Sequence, residues 1–188
     1  MKKVMVIVDV QFDFVFGALR NEEAISRLPV VHMLLEYAKA HNFDKVILTR
    51  DTHTRDSYFN TQEGQNLPIF HCGYGEDGWQ ICEEILVDGI NYIFIDKCQY
   101  GTLGYFNEIK DADIVVMGGF DTEYCVISQF VNIRTMAPEA VVYVAEDACA
   151  GATKEMHEKA LDIMRVQNGK VMKWEDMKKE LEALDNAT

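Results

Sequence analysis

The chain has 188 residues, the length of one ordinary domain, with 48% hydrophobic and 26% charged residues. That balance supports a sizeable core and excludes a disordered chain. A net charge of −13 repels phosphate backbones and excludes nucleic acid as a partner. The five cysteines (Cys72, Cys82, Cys98, Cys125, Cys149) form no C-x-x-C pair and read as free thiols in a reducing, cytoplasmic setting.

The apolar run that opens the chain, after Lys2 and Lys3, breaks at Asp9. It is too short for a signal core, and no stretch approaches the roughly 18 apolar residues of a membrane span. Short, nearly continuous β-branched runs predict strands at Lys3–Val8, Lys45–Thr49, Tyr92–Ile95, Ile114–Met117, Val141–Val144 and Val171–Lys173. Such runs suit strands buried on both faces of a parallel sheet. Helices are predicted between them at Pro29–Ala40, Leu103–Ile109, Glu123–Thr135, Lys154–Gln167 and Glu175–Ala183. The alternation implies an α/β fold: a single doubly wound domain over residues 1–188, with a parallel sheet of about six strands and helices on both faces. The segment from Asp51 to Glu76 breaks the pattern and reads as a long functional loop without regular structure.

Open parallel sheets bind ligands beyond the carboxyl ends of their strands. Polar residues at those ends are Asp9, Arg50 to His53, Asp96-Lys97, Gly118 to Cys125, and Asp147. Cys125 stands at the start of an apolar helix, where the helix dipole favours thiolate and first-turn N–H groups can hold an oxyanion. Position alone leaves a small buried hydrophobe as an equal reading of Cys125. Lys97, at the same edge, can stabilise a thiolate, although most lysines at such turns are only solvated. Asp9 closes a buried strand, where an acid needs a partner or a function. The pattern Asp51-x-His53 with His71 places a carboxylate and two imidazoles near one sheet edge, a set that suits Zn²⁺ or a neighbouring divalent metal.

The segment Val8-Asp9-Val10-Gln11-Phe12-Asp13-Phe14, the post-strand Lys97, and Gly119-Phe120-Asp121-Thr122-Glu123-Tyr124-Cys125-Val126 together resemble the isochorismatase-like cysteine hydrolase superfamily, which includes nicotinamidases. Val144–Ala148 with Thr153, His157, Ala160-Leu161 and Met164 resembles that family's last strand and helix, so the likeness spans residues 3–166. It implies a catalytic triad of Asp9, Lys97 and Cys125, with a non-proline cis peptide near the nucleophile, at Phe120–Asp121. It further implies an oxyanion held by backbone N–H groups at Asp121 and Cys125, and a metal on Asp51, His53 and His71. Glu63, in the same loop, is a candidate fourth ligand. Phe14 and Tyr100 are candidate pocket walls. True isochorismatases lack the nucleophilic cysteine, so Cys125 points to C–N cleavage through a thioester. His157 reads as a support of the fold.

The chain departs from the family pattern in places. Phe70 stands near the region where nicotinamidases place a tryptophan, Asp121 where a small or apolar residue is usual, and Glu123 where Asp is frequent. The expected activity is hydrolysis of nicotinamide or a similar small amide by a homo-oligomer. A metal-independent carbamoyl or ureido amidohydrolase is the first alternative. A non-catalytic domain binding a ligand or partner, with Cys125 inert, is the second.

Overall fold

The structure is a computed structural model and describes residues 1–187. Six parallel strands form one sheet in the order β3-β2-β1-β4-β5-β6. They are β1 (Lys3–Val8), β2 (Lys45–Asp51), β3 (Tyr92–Lys97), β4 (Ile114–Phe120), β5 (Val141–Ala150) and β6 (Lys170–Met172). The helices are α1 (Phe12–Val15), α2 (Glu22–Ala40), α3 (Arg55–Tyr58), α4 (Gln62–Asn66), α5 (Phe106–Ile109), α6 (Ile127–Met136), α7 (Lys154–Val166) and α8 (Trp174–Asn186). This is the expected doubly wound α/β sheet, with its topological switch between β1 and β4.

Alternate residues of β1 serve two cores. Met5 and Ile7 pack with Leu28, Val31, Leu34 and Leu35 of α2 and with Trp174, Met177 and Leu181 of α8. Val4, Val6 and Val8 pack with Ile109 of α5, Phe130 and Ile133 of α6, and Leu161 and Met164 of α7. Each of these β1 side chains is fully buried, which is why the strand reads as a continuous apolar run rather than an alternating one.

Several element boundaries differ from expectation. The second strand runs two residues further, to Asp51, and the third runs to Lys97, so these two polar residues are the last of their strands. Helix α2 begins at Glu22, seven residues before Pro29. The Asn21 side chain accepts from the N–H groups of Glu23 and Ala24, and Glu22 and Glu23 favour the helix start. Proline lacks one helical donor, but this cap and the buried face of α2 keep the helix continuous across it. The expected structureless loop from Asp51 to Glu76 contains α3 and α4. Thr61 caps the latter by accepting from Gly64 N–H. Both helices are too short for apolar periodicity to reveal. The fifth strand continues to Ala150, which places Asp147 inside it. Its carboxylate accepts from Trp174 N–H at 2.8 Å, so Asp147 anchors the start of α8 instead of serving the ligand edge. Among the described residues no helix is long and apolar enough to cross a membrane.

Candidate active site

Three strand ends bring Asp9, Lys97 and Cys125 together. Lys97 Nζ lies 2.6 Å from Asp9 Oδ2 and donates to Cys125 Sγ at 3.4 Å. All three residues are buried. Asp9 follows β1 in a left-handed conformation (φ 49°), which aspartate tolerates better than most residues. Its other oxygen accepts from Thr49 Oγ1 at 2.6 Å. Cys125 lies in a π-turn, Thr122–Val126, that leads into α6. The preceding Phe120–Asp121 peptide is cis. Just before it, Gly119 (φ 131°) pairs with Val8, and a Cβ there would lie 2.0 Å from the Val8 carbonyl oxygen. Only glycine permits β4 to approach β1 this closely.

Burial opposes the charge on Lys97, but Asp9, the Cys125 sulfur and Asp51 outweigh it and hold its pKa well above the usual lysine range. Burial pushes the Cys125 thiol well up. Lys97 pulls it down, as its position suggested, without overcoming the desolvation. Burial thus outweighs the lowering that a helix N-terminus alone implies. Burial likewise raises Asp9, with Lys97 opposing and Asp51 adding.

Beside this cluster sits a second. Asp51, His53, Glu63 and His71 each offer one ligand atom, and these atoms all lie within 4.8 Å of one another. His53 Nε2 lies 2.8 Å from Asp51 Oδ2, and His71 Nε2 lies 3.4 Å from the same oxygen. Glu63 Oε1, carried on α4, is 3.7 Å from His71 Nε2 and 4.0 Å from His53 Nε2. His71 Nδ1 donates to the Ile69 carbonyl at 2.9 Å, which leaves the lone pair on Nε2 facing the carboxylates. Two carboxylates and two imidazoles, with one imidazole held in the ligating tautomer, fit a divalent cation of the zinc type. Lys97 Nζ, 3.5 Å from Asp51 Oδ1, joins the two clusters.

Both open into one cavity of about 970 Å³. Cys125, Asp51, Glu63 and His71 line it, with Phe14, Leu19, Leu67, Ile69, Tyr100 and Tyr124 as its apolar and aromatic walls. Phe14 also packs against the His71 ring, with centroids 5.6 Å apart. Phe70 is not in the lining; it packs on Tyr58 and Phe59 beneath the Arg55 guanidinium. Asp121 lines the cavity beside Cys125, and burial, then Glu123 and Asp9, push its pKa up to about 7. Glu123 instead accepts from Ala152 N–H at 2.9 Å. His157 supports the Thr122–Val126 turn, its Nδ1 lying 2.8 Å from Thr122 Oγ1.

Sequence reasoning did not single out four supports of this site. Thr49 orients Asp9, and the one signal for it is a polar residue ending an apolar run. Gln11 spans the edge of the sheet: its Nε2 donates to the carbonyls of Asp51 and Trp79, and its Oε1 accepts from Asp51 N–H. Asp13 accepts from Cys72 N–H at 2.7 Å and so anchors the chain next to His71. Tyr58 is fully buried and packs against both imidazoles. Gln11 and Asp13 lie inside the quoted Val8–Phe14 motif, whereas Tyr58 sits in the loop read as irregular.

The sequence matches the isochorismatase domain family over residues 3–176. It is 24% identical to a nicotinamidase of Schizosaccharomyces pombe, covering 86% of this chain and 88% of that protein. The fold superposes with a TM-score of 0.77 on a pyrazinamidase of Pyrococcus horikoshii solved in complex with zinc. That match is 23% identical and covers 93% of this chain and 100% of that one. An N-carbamoylsarcosine amidase of Thermoplasma acidophilum matches equally well, with a TM-score of 0.77 at 23% identity, covering 92% and 96%. At such identities the structural likeness establishes the fold, while the family match spans most of the sequence. The chain belongs to the isochorismatase domain family of hydrolases.

Proposed function

We propose that this protein is a cysteine amidohydrolase that releases ammonia from a small carboxamide, with nicotinamide or a similar ring amide as the leading substrate. The observation that carries this reading is Lys97 Nζ, placed 2.6 Å from Asp9 Oδ2 and 3.4 Å from Cys125 Sγ at the floor of a cavity. The upward shifts of the Asp9 carboxyl and the Cys125 thiol suit a proton relay. Cys125 Sγ attacks the amide carbon as its proton passes to Asp9, and Lys97 holds the charge that forms. The N–H of Asp121, which has no hydrogen-bond partner among the described residues, serves the oxyanion together with that of Cys125. Collapse of the tetrahedral species breaks the C–N bond, and Asp9 gives its proton to the departing amine. Water then attacks the thioester as Asp9 takes a proton from it, the C–S bond breaks with that proton passing from Asp9 to Sγ, and the acid leaves with Cys125 restored.

Asp51, His53, Glu63 and His71 are the residues that would hold a divalent metal, with Zn²⁺ the first candidate; when bound it supplies a positive charge and a Lewis acid within the cavity. The pyrazinamidase solved in complex with zinc supports this choice. A carbamoyl amidohydrolase is the second reading, favoured by the equal likeness to the N-carbamoylsarcosine amidase and by a cavity larger than one pyridine ring requires.

An ammonia-release screen over nicotinamide, pyrazinamide, benzamide and N-carbamoyl amino acids tests the proposal, run on zinc-loaded and chelated protein. Ring carboxamides should yield ammonia, and chelation should suppress it. Ammonia from ureido acids alone would transfer the assignment to the second reading. No ammonia from any substrate, with well-folded zinc-loaded protein, would end the proposal.

A further inference from the structure

Charge compensation around the cavity leaves one group out. Asp9 faces Lys97, and Glu22 at the rim pairs with Arg20 at 2.9 Å. Asp51 and Glu63 face the two imidazoles. The Asp121 carboxyl lines the same cavity beside the nucleophile and has neither a hydrogen bond nor an ion pair among the described residues. Arg20 is the only lysine or arginine among the described lining residues, Lys97 lies buried outside the lining, and both have carboxylate partners already. Glu123, two residues along, adds negative potential to the same turn. One of its oxygens is tied to Ala152 N–H and the other is buried without a partner.

A half-buried carboxyl without a donor carries a desolvation cost, and a ligand that brings the donor relieves it. Water can serve while the cavity is open. A substrate seated against Cys125 displaces that water and must replace its hydrogen bonds. We infer that Asp121 is a specificity-determining residue, selecting amides whose non-reacting part carries an ammonium or N–H donor near the scissile carbonyl. The inference rests on the amidohydrolase reading and moves its preferred substrate from nicotinamide, whose ring carries no N–H donor, to ring amides that carry one. The rise of this carboxyl to about 7, caused by burial and then by Glu123 and Asp9, agrees with a group held short of positive charge. A bound cation would keep it ionised. A carboxylate substituent at the same place would meet two acids and be rejected.

Two measurements test this, one of them independent of turnover. The first is the rate at which Cys125 is labelled by three methanethiosulfonates carrying an ethylammonium, a methyl or an ethylsulfonate group, at pH 8.5. Labelling is assigned to Cys125 by peptide mass mapping, because Cys98 is also exposed. The ammonium-to-sulfonate rate ratio should fall by about tenfold in Asp121→Asn, as expected for loss of one charge beside the sulfur. It should be retained in Asp121→Glu.

The second measurement compares ammonia release from piperidine-3-carboxamide, whose ring is cationic, with that from neutral cyclohexanecarboxamide. The wild-type preference in kcat/KM should favour the cation and fall by about tenfold in Asp121→Asn. Unchanged ratios in the variant would overturn the inference. So would an equal loss of kcat on both amides, which would assign Asp121 to the reacting carbonyl. Absence of ammonia from every amide would remove the amidohydrolase reading, while the labelling ratio would still decide for or against Asp121.

Discussion

The two clusters on the cavity floor differ in how they were assembled and in how their charges balance. Asp9, Lys97 and Cys125 come from the ends of β1 and β3, which flank β2, and from the turn after β4, with a lysine ammonium placed between a carboxylate and a sulfur. Asp51, His53, Glu63 and His71 come from one strand end, the residues just past it, a five-residue helix and a loop, and they hold two carboxylates and two imidazoles. Their nearest permanent cation is Lys97, which is shared with the first cluster. The first cluster supplies its own counter-charge. The second is arranged for a cation from outside. The strand-borne cluster should therefore withstand chelation in structure, and the loop-borne cluster should not.

The comparison is broken most severely at the sulfur. Cys125→Ala should lower turnover by at least about 10³-fold, since removing the nucleophile of a catalytic group acting as a unit forfeits nearly all its rate gain. Ammonia release at near wild-type rate in that variant would assign the strand-end cluster to structure alone. Next in size is Asp9→Asn, expected to cost about 10²–10⁴-fold in turnover because the amide cannot carry the proton. The same substitution leaves Lys97 buried with only the more distant Asp51, and loss of one partner of a buried pair costs about 3–5 kcal/mol. Chemical denaturation should show that loss, and wild-type stability would mean that the lysine gives up its charge in the variant.

Smaller effects sharpen the second cluster. His53→Ala should lose the bound metal, measured by elemental analysis, and Glu63→Ala should weaken its retention under mild chelation. Full retention without Glu63 would reduce the site to three protein ligands. A further effect concerns pH. The Asp121 pKa rises from 3.8 to about 7 on folding, through burial, Glu123 and Asp9, with His71 opposing. The folded state therefore holds a proton that the unfolded chain releases, and stability falls as pH rises between those values. Asp121→Asn should melt above wild type at pH 8 and converge with it at pH 4. A constant difference would show that the carboxyl does not titrate in that interval.

Legibility in the sequence followed the same division. The strand-end residues were visible because a polar residue closing an apolar run is conspicuous. Asp9, Lys97, Cys125, Asp51, His53 and His71 all fell at the expected edge. Glu63 was visible as an acid in a long loop, but the Thr61-capped turn that carries it toward the imidazoles was not, because five residues show no period. Pro29 concealed the start of α2, since a proline reads more readily as a helix beginning than as an interior residue. Asp147 looked like a ligand-edge acid because acidic residues break the apolar pattern of β5 before the strand ends. The upward shift of the Cys125 thiol was beyond sequence altogether. It depends on how completely the sulfur is desolvated, and that is a property of packing.

Gly119 acts as a spacer. Because β4 meets the Val8 carbonyl with no side chain between them, the separation between the acid after β1 and the cysteine after β4 is set by backbone contact. The surrounding sequence is then free to drift without altering that separation, which accords with solved structures that share the fold at 20–23% identity. Laboratory selection for new amide substrates should accordingly leave Gly119 fixed and accumulate its changes on the cavity walls, at Leu19, Leu67, Ile69 and Tyr124.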